Sequence, residues 1–372
     1  MTRPEAPTSL AAQLAATIRH SGPISIAHYM SEALANQTHG YYTTRDPLGM
    51  DGDFITAPEV SQMFGELIGL WCADLWMQME QPGAINLIEL GPGRGTLMAD
   101  AWRATKVQPG FHDAVSLHLV EISPTLRMRQ QESLADARPA SGPHWYSEFN
   151  KVPPAPLLLV ANELLDALPI HQYERMVTGW HERLVDLVPG TNDFRIIVSP
   201  HPIENPQTIP DVLEGTPIGG VVERCPAAEA LVAQIAEQIR RFGGAALFID
   251  YGYTESAPHD TLQGVRRHSF HPVLDTPGSA DLCAHVDFAR LREVALNSRC
   301  SVWGPSGQGD WLNALGLRER ARRLKDGTSA VQQSEIDTAL ERLVDPAKMG
   351  FLFKVMAVAS ADLAPAGFGA TV

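Results

Sequence analysis

The segment Glu89-Leu90-Gly91-Pro92-Gly93-Arg94-Gly95 sets three glycines at alternate positions, directly after an apolar run and behind an acidic residue. Glycines there let the backbone turn tightly and approach a ligand without Cβ clashes, while the N–H groups of a following helix face it. A loop of this kind also serves as a plain strand-to-helix turn, and the dinucleotide fingerprint competes with it. That fingerprint spaces its last glycine one residue further on. An acid ahead of the first glycine suits a cation, not a pyrophosphate. The cofactor that fits is S-adenosyl-L-methionine, with Glu89 on its ammonium group and Gly91, Pro92, Gly93 and Gly95 as the cradle.

A second acid, Glu121 in Leu119-Val120-Glu121-Ile122-Ser123, closes the next apolar run. A carboxylate at that place accepts two hydrogen bonds from a ribose diol, in a methyltransferase or a dehydrogenase alike. Ile122 joins it among the expected cofactor contacts. The other use of Glu121 is as a helix cap, a task for which Ser123 is better placed. Glu148 falls where adenine contacts arise, and Asn162 is expected as a backbone or cofactor contact.

The elements that must position these residues follow from the apolar pattern. Runs at 85–90, 115–122, 145–149, 157–161 and 245–250 are too continuous for half-exposed strands and suit a parallel sheet covered on both faces. Segments 96–104 and 124–135 read as crossover helices, and 227–242 as a further helix. Segments 170–177, 180–188 and 194–198 read as an inserted antiparallel ribbon; 251–280 reads as a polar loop. Segments 286–296, 301–303 and 351–359 read as a helix and two last strands. The expected organisation is an N-terminal helical cap and lid loop over 1–80, a methyltransferase-like domain over 81–360 with an insertion at about 170–225, and a flexible tail over 361–372. The fold class is α/β, a doubly wound, mostly parallel sheet.

Composition narrows the function classes. The formal net charge of −14 over 372 residues disfavours a phosphate backbone as substrate, so no nucleic-acid partner is expected. The basic stretch 318–323 has helical spacing and reads as a solvated helix face. Four scattered cysteines form no metal-ligand spacing, so no metal is expected, and they fit a reducing compartment. No apolar run is long enough for a membrane span. A cytoplasmic location is expected for a bacterial-type chain, and the mitochondrial matrix for a eukaryotic one.

Beyond these motifs, the stretches Gly22-Pro-Ile24, Gly40-Tyr-Tyr42, Gly52-Asp-Phe-Ile-Thr-Ala-Pro-Glu-Val-Ser-Gln-Met-Phe-Gly-Glu66, Ala161-Asn-Glu-Leu-Leu-Asp-Ala-Leu-Pro169, Ile249-Asp-Tyr-Gly252, Ala284-His-Val-Asp-Phe288, Gln308-Gly309 and Met349-Gly-Phe-Leu-Phe-Lys354 stand along nearly the whole chain. Together they resemble the MidA-like family of protein arginine methyltransferases, complex I assembly factors with bacterial relatives. The resemblance implies a class I methyltransferase fold and symmetric dimethylation of an arginine on a complex I (NADH:quinone oxidoreductase) core subunit. Gln263 stands where the family pattern has arginine, and Cys283 where it has threonine.

An arginine substrate needs carboxylates that orient its planar guanidinium fork. Glu163 and Asp166 are three residues apart and would share a face on a helical turn leaving the fourth strand, with Glu163 the first clamp and Asp166 the second. A helix start capped by Asn162, with acids favoured by the helix dipole, explains the same residue types. Asp53 and Glu59 form a lid over this edge or else turn chemistry around Gly52 and Pro58. His285 and Asp287 belong either to the substrate side or to a helix start. Two other functions fit the cofactor loop: methylation of a small molecule, and an assembly chaperone that binds the cofactor without chemistry.

Overall fold

A computed structural model describes residues 9–44, 56–137, 142–205 and 208–369. The chain divides into two compact units, one of Met1–Phe54, Asp166–Glu229 and Glu255–His285, the other of Ile55–Leu165, Ala230–Thr254 and Val286–Val372.

The second unit is built on seven main strands: β1 (Ile85–Leu90), β2 (Val115–Val120), β3 (His144–Tyr146), β4 (Leu157–Asn162), β5 (Gly244–Tyr253), β6 (Ser301–Gly307) and β7 (Phe353–Ala359). Their order across the sheet is β3-β2-β1-β4-β5-β7-β6. All neighbours run parallel up to β5, whereas β7 is antiparallel to both β5 and β6. A two-residue strand, Val286–Asp287, adds in parallel beside the end of β5. Every residue of β1, β4 and β7 is buried, which requires cover on both faces and accounts for the unbroken apolar runs. This is the doubly wound, mostly parallel α/β sheet expected.

Three helices set the position of the first loop: α1 (Gln62–Gln78), α2 (Thr96–Ala104) and α3 (Pro124–Ser133). Helix α1 packs closely on α2, because a Cβ at Gly69 would lie 2.6 Å from the Ala101 backbone. That contact explains why α1, grouped by sequence with the N-terminal segment, belongs to the sheet unit. Residues 361–369, expected as a tail, also return to α1: the Trp71 indole donates to the Ala366 carbonyl at 3.2 Å, and the Ala364 N–H to Gln78 Oε1 at 2.9 Å.

The first unit holds an antiparallel sheet of strands 24–25, 171–176, 179–187, 194–198 and 221–224, the expected ribbon with two strands added. Helices Ser9–Ser21 and Ile26–Ala35 share its core through Leu10, Leu14, Ile18, Tyr29 and Met30, which pack with Val185 and Leu282. The segment expected as a polar loop instead forms a small sheet of strands 263–266, 269–271 and 281–283. These strands are too short and too polar to show alternation, and they are held by pairing with one another. The helix expected from residue 286 begins at Phe288, with Asp287 capping it through the Arg290 N–H at 3.0 Å. The basic stretch forms helix Leu317–Lys325, where Glu319 pairs with Arg322 and Arg323 at its surface. No helix among the described residues is long and apolar enough to cross a membrane.

Candidate active site

The loop after β1 takes its shape from backbone angles that only glycine adopts easily. Gly91, Gly93 and Gly95 all lie in the left-handed region, with φ of 61°, 53° and 81°. A Cβ on Gly91 would meet the Leu164 side chain at 2.8 Å, so the loop also lies against the segment that follows β4. The Gly91 N–H donates to the Val120 carbonyl, the Gly95 N–H to that of Pro92, and Gly95 becomes the N-cap of α2. A cradle of backbone at a helix N-terminus results.

Glu89 sits at the root of this cradle, 3% exposed, and its Oε2 atom has no hydrogen-bond partner among the described residues. Burial, with the Glu121 charge added, pushes its carboxyl up to about 8. Asn162, one step beyond the Leu90–Ala161 register pair, is also buried, and its Oδ1 likewise lacks a partner. The Asn162 oxygen is an acceptor and calls for a donor; the Glu89 oxygen becomes one when its carboxyl ionises, which a neighbouring cation favours.

Glu121 directly follows β2 and is buried at 6% exposure, which pushes its carboxyl above the ordinary value. Its Oε1 accepts the Ser123 N–H at 2.7 Å and its Oε2 the Gln130 amide at 3.1 Å. Ser123 caps α3, as its placement predicts. Ile122 beside it is 51% exposed. A buried carboxylate whose oxygens keep acceptor capacity therefore stands next to an exposed apolar side chain. Glu148 is placed otherwise: its side chain, 57% exposed, is taken up by Lys151 at 2.8 Å, so the surface ion pair competes with any adenine contact.

At the carboxyl end of β4 the expected helical turn is absent. Glu163 has φ of 51°, fixed by its N–H donating to the Ile249 carbonyl at 2.8 Å, and no helix follows. The shared face expected for Glu163 and Asp166 is therefore not formed. Glu163 Oε1 accepts the Ala57 N–H at 2.8 Å and the Asn162 amide at 3.1 Å. Glu59, two residues beyond Ala57, accepts the Thr96 hydroxyl at 2.5 Å. Asp166 is buried in the other unit, where its carbonyl accepts the Ala284 N–H at 3.0 Å. Asp53 lies outside the described residues. The His285 N–H donates to the Thr261 hydroxyl at 2.9 Å.

Residues 67–306 match the family described as "Putative S-adenosyl-L-methionine-dependent methyltransferase". Over 370 residues the chain is 37% identical to "Protein arginine methyltransferase NDUFAF7, mitochondrial" of Danio rerio, covering 94% of this chain and 86% of that protein. The chain belongs to this methyltransferase family. A Drosophila melanogaster homologue of the same name is 37% identical, with 94% of this chain and 84% of the relative covered. A solved structure from Burkholderia thailandensis, bound to S-adenosyl-homocysteine, superposes with a TM-score of 0.85 at 26% identity, covering 98% of this chain and 97% of that one. The expectation of a cytoplasmic location finds no support in these relatives, which are named mitochondrial.

The protein is thus an S-adenosyl-L-methionine-dependent methyltransferase of class I-like fold. The orphaned Glu89 and Asn162 oxygens fit that cofactor, whose methionine ammonium would supply the missing donors. The sequence reading of this methyltransferase missed Gln130, which joins Gly93, Glu121 and Trp145 from the centre of α3. It also missed Asp250, fully buried on β5, whose Oδ2 accepts the Leu165 N–H at 2.8 Å and so fixes the segment after Glu163. An acid inside an otherwise apolar strand is the signal that marks Asp250; nothing in the sequence marks Gln130.

Proposed function

We propose that this methyltransferase transfers the methyl group to an arginine side-chain nitrogen of a protein substrate, and that the substrate is a complex I core subunit. The observation that carries the reading is the extent of the likeness to the protein arginine methyltransferase of Danio rerio, 37% identity across 94% of the chain. The chemistry at the carboxyl edge suits it. When bound, the cofactor supplies an electrophilic methyl on its sulfonium, and the protein must align a nucleophile with it and stabilise moving positive charge.

Glu163 is assigned that task. It stands where β4 meets the glycine loop's neighbour Leu164, and its carboxylate is held in place by the Ala57 N–H and Asn162. A fixed carboxylate orients a guanidinium fork and raises the electron density of one nitrogen. Glu59, on the short segment whose Ala57 N–H holds Glu163, is assigned to the same acidic edge. In the cofactor half, Glu89 and Asn162 take the ammonium, Glu121 the ribose diol, and Ile122 the adenine. The place of action is the mitochondrial matrix in a eukaryote and the cytoplasm in a bacterium.

Cofactor turnover measured alone, with a complex I core subunit, and with a panel of small nucleophiles tests the substrate class. Turnover stimulated by the subunit alone is expected. Stimulation by a small molecule and not by the subunit would transfer the reading to small-molecule methylation, and binding without any turnover to a non-catalytic assembly factor.

A further inference from the structure

Gln130 lies in the middle of α3 with no exposure to solvent, and its side-chain amide makes three hydrogen bonds to residues far apart in the sequence. Nε2 donates to the Gly93 carbonyl at 2.8 Å and to Glu121 Oε2 at 3.1 Å; Oε1 accepts from the Trp145 indole at 2.9 Å. The indole can only donate, whereas the carbonyl and the carboxylate accept, so the amide has one satisfactory orientation. Helix and loop are almost in backbone contact here, since a Cβ on Gly95 would lie 3.3 Å from the Gln130 Cα.

We propose that Gln130 is a positioning residue that locks the glycine loop and Glu121 into one register, and so sets how strongly the protein reads the cofactor's ribose diol. The proposal rests on the reading that Glu121 and this loop bind the cofactor. Two consequences follow from the geometry. With the Gly93 carbonyl committed to Gln130, the planar trans peptide turns the Arg94 N–H to the opposite side, away from α3. With Oε2 held by Gln130 and Oε1 by the Ser123 N–H, the Glu121 carboxylate is fixed in its plane, and each oxygen keeps acceptor capacity for a hydroxyl. An amide that is buried with every polar atom satisfied is stable there; the same site with one partner removed leaves others unmatched, and they relax.

The test is calorimetric titration of S-adenosyl-homocysteine and its 2′,3′-dideoxy analogue into the wild type, Gln130→Met, Trp145→Phe and Glu121→Ala. Methionine fills the space of glutamine without the amide, and phenylalanine removes only the N–H that orients it. The wild type is expected to prefer the intact ribose. Gln130→Met should weaken the intact ligand about tenfold and leave the analogue nearly unchanged. Trp145→Phe, the milder change and the second probe should Gln130→Met fail to fold, should narrow the preference by roughly threefold. A purely structural role would lower the affinity of both ligands equally, or lower thermal stability alone, and either result overturns the proposal. If Glu121→Ala abolishes the preference while both other variants retain it, the positioning role falls and the ribose contact stands. If Glu121→Ala retains the preference, both fall together.

Discussion

Glu163 Oε1 accepts a hydrogen bond from the backbone N–H of Ala57 at 2.8 Å. Two residues on, Glu59 accepts from the hydroxyl of Thr96, the first residue of α2. One short segment, Ala57–Val60, is therefore tied both to the carboxylate after β4 and to the helix that rises from the glycine loop. The link gives the two halves a common anchor within one unit, and it separates what charge does at Glu163 from what hydrogen bonding does.

Glu163→Gln retains an oxygen for the Ala57 N–H and removes the charge. Cofactor affinity should stay near wild type while methyl transfer falls by about 10²-fold, the scale for losing one preorganised electrostatic group. Asp166→Asn should be milder. Methyl transfer and cofactor titration on the same preparations check this; normal transfer in both variants would leave these carboxylates to the fold. Glu163→Ala also leaves the N–H of buried Ala57 unmatched and should cost about 1–3 kcal/mol in denaturant unfolding.

Gly93→Val should abolish cofactor binding with the fold retained. A β-branched residue at φ of 53° is strained, so the loop must change its backbone to take valine. Titration with S-adenosyl-L-methionine alongside circular dichroism measures both effects, and unchanged affinity would remove the loop from the site.

Glu121→Ala should weaken the cofactor by about 1–3 kcal/mol, the range for hydrogen bonds to a charged group. A drop in melting temperature at unchanged affinity would instead assign Glu121 to the Ser123 N–H that it accepts.

The pH dependence at Glu89 has a definite sign. Its folded carboxyl is pushed up to about 8, so in the free protein it is largely protonated at neutral pH. A bound ammonium favours the anion. Cofactor binding near neutral pH should therefore release a proton, and affinity should rise as pH climbs towards 8 and then level off. Without ligand, the folded state holds this proton more tightly than the unfolded chain does. Stability is then complete below the ordinary carboxylate range and declines as pH rises through about 8. Glu89→Gln should raise the melting temperature at pH 8 and weaken the cofactor. Calorimetry in buffers of different ionisation enthalpy reads the proton; uptake, or none, would contradict the assignment.

What the sequence made legible was local and repetitive. The unbroken apolar runs and the glycines after 85–90 are enough to locate β1, the loop and α2, because burial on both faces and left-handed turns restrict residue choice. The strands at 263–266 and 269–271 escape notice because pairing, not composition, holds them. The helical turn expected at Glu163 yields to the bond between its N–H and Ile249, a residue more than eighty positions away. Gln130 reads as one more polar helix residue until Gly93, Glu121 and Trp145 are folded around it.

Mass spectrometry of a purified complex I core subunit, incubated with this protein and isotopically labelled S-adenosyl-L-methionine, measures the proposed transfer directly. The expected result is the labelled methyl group on an arginine nitrogen, absent with Gly93→Val and strongly reduced with Glu163→Gln. Label on any other residue type, or none on the subunit while a small molecule becomes labelled, would contradict arginine methylation of a protein substrate.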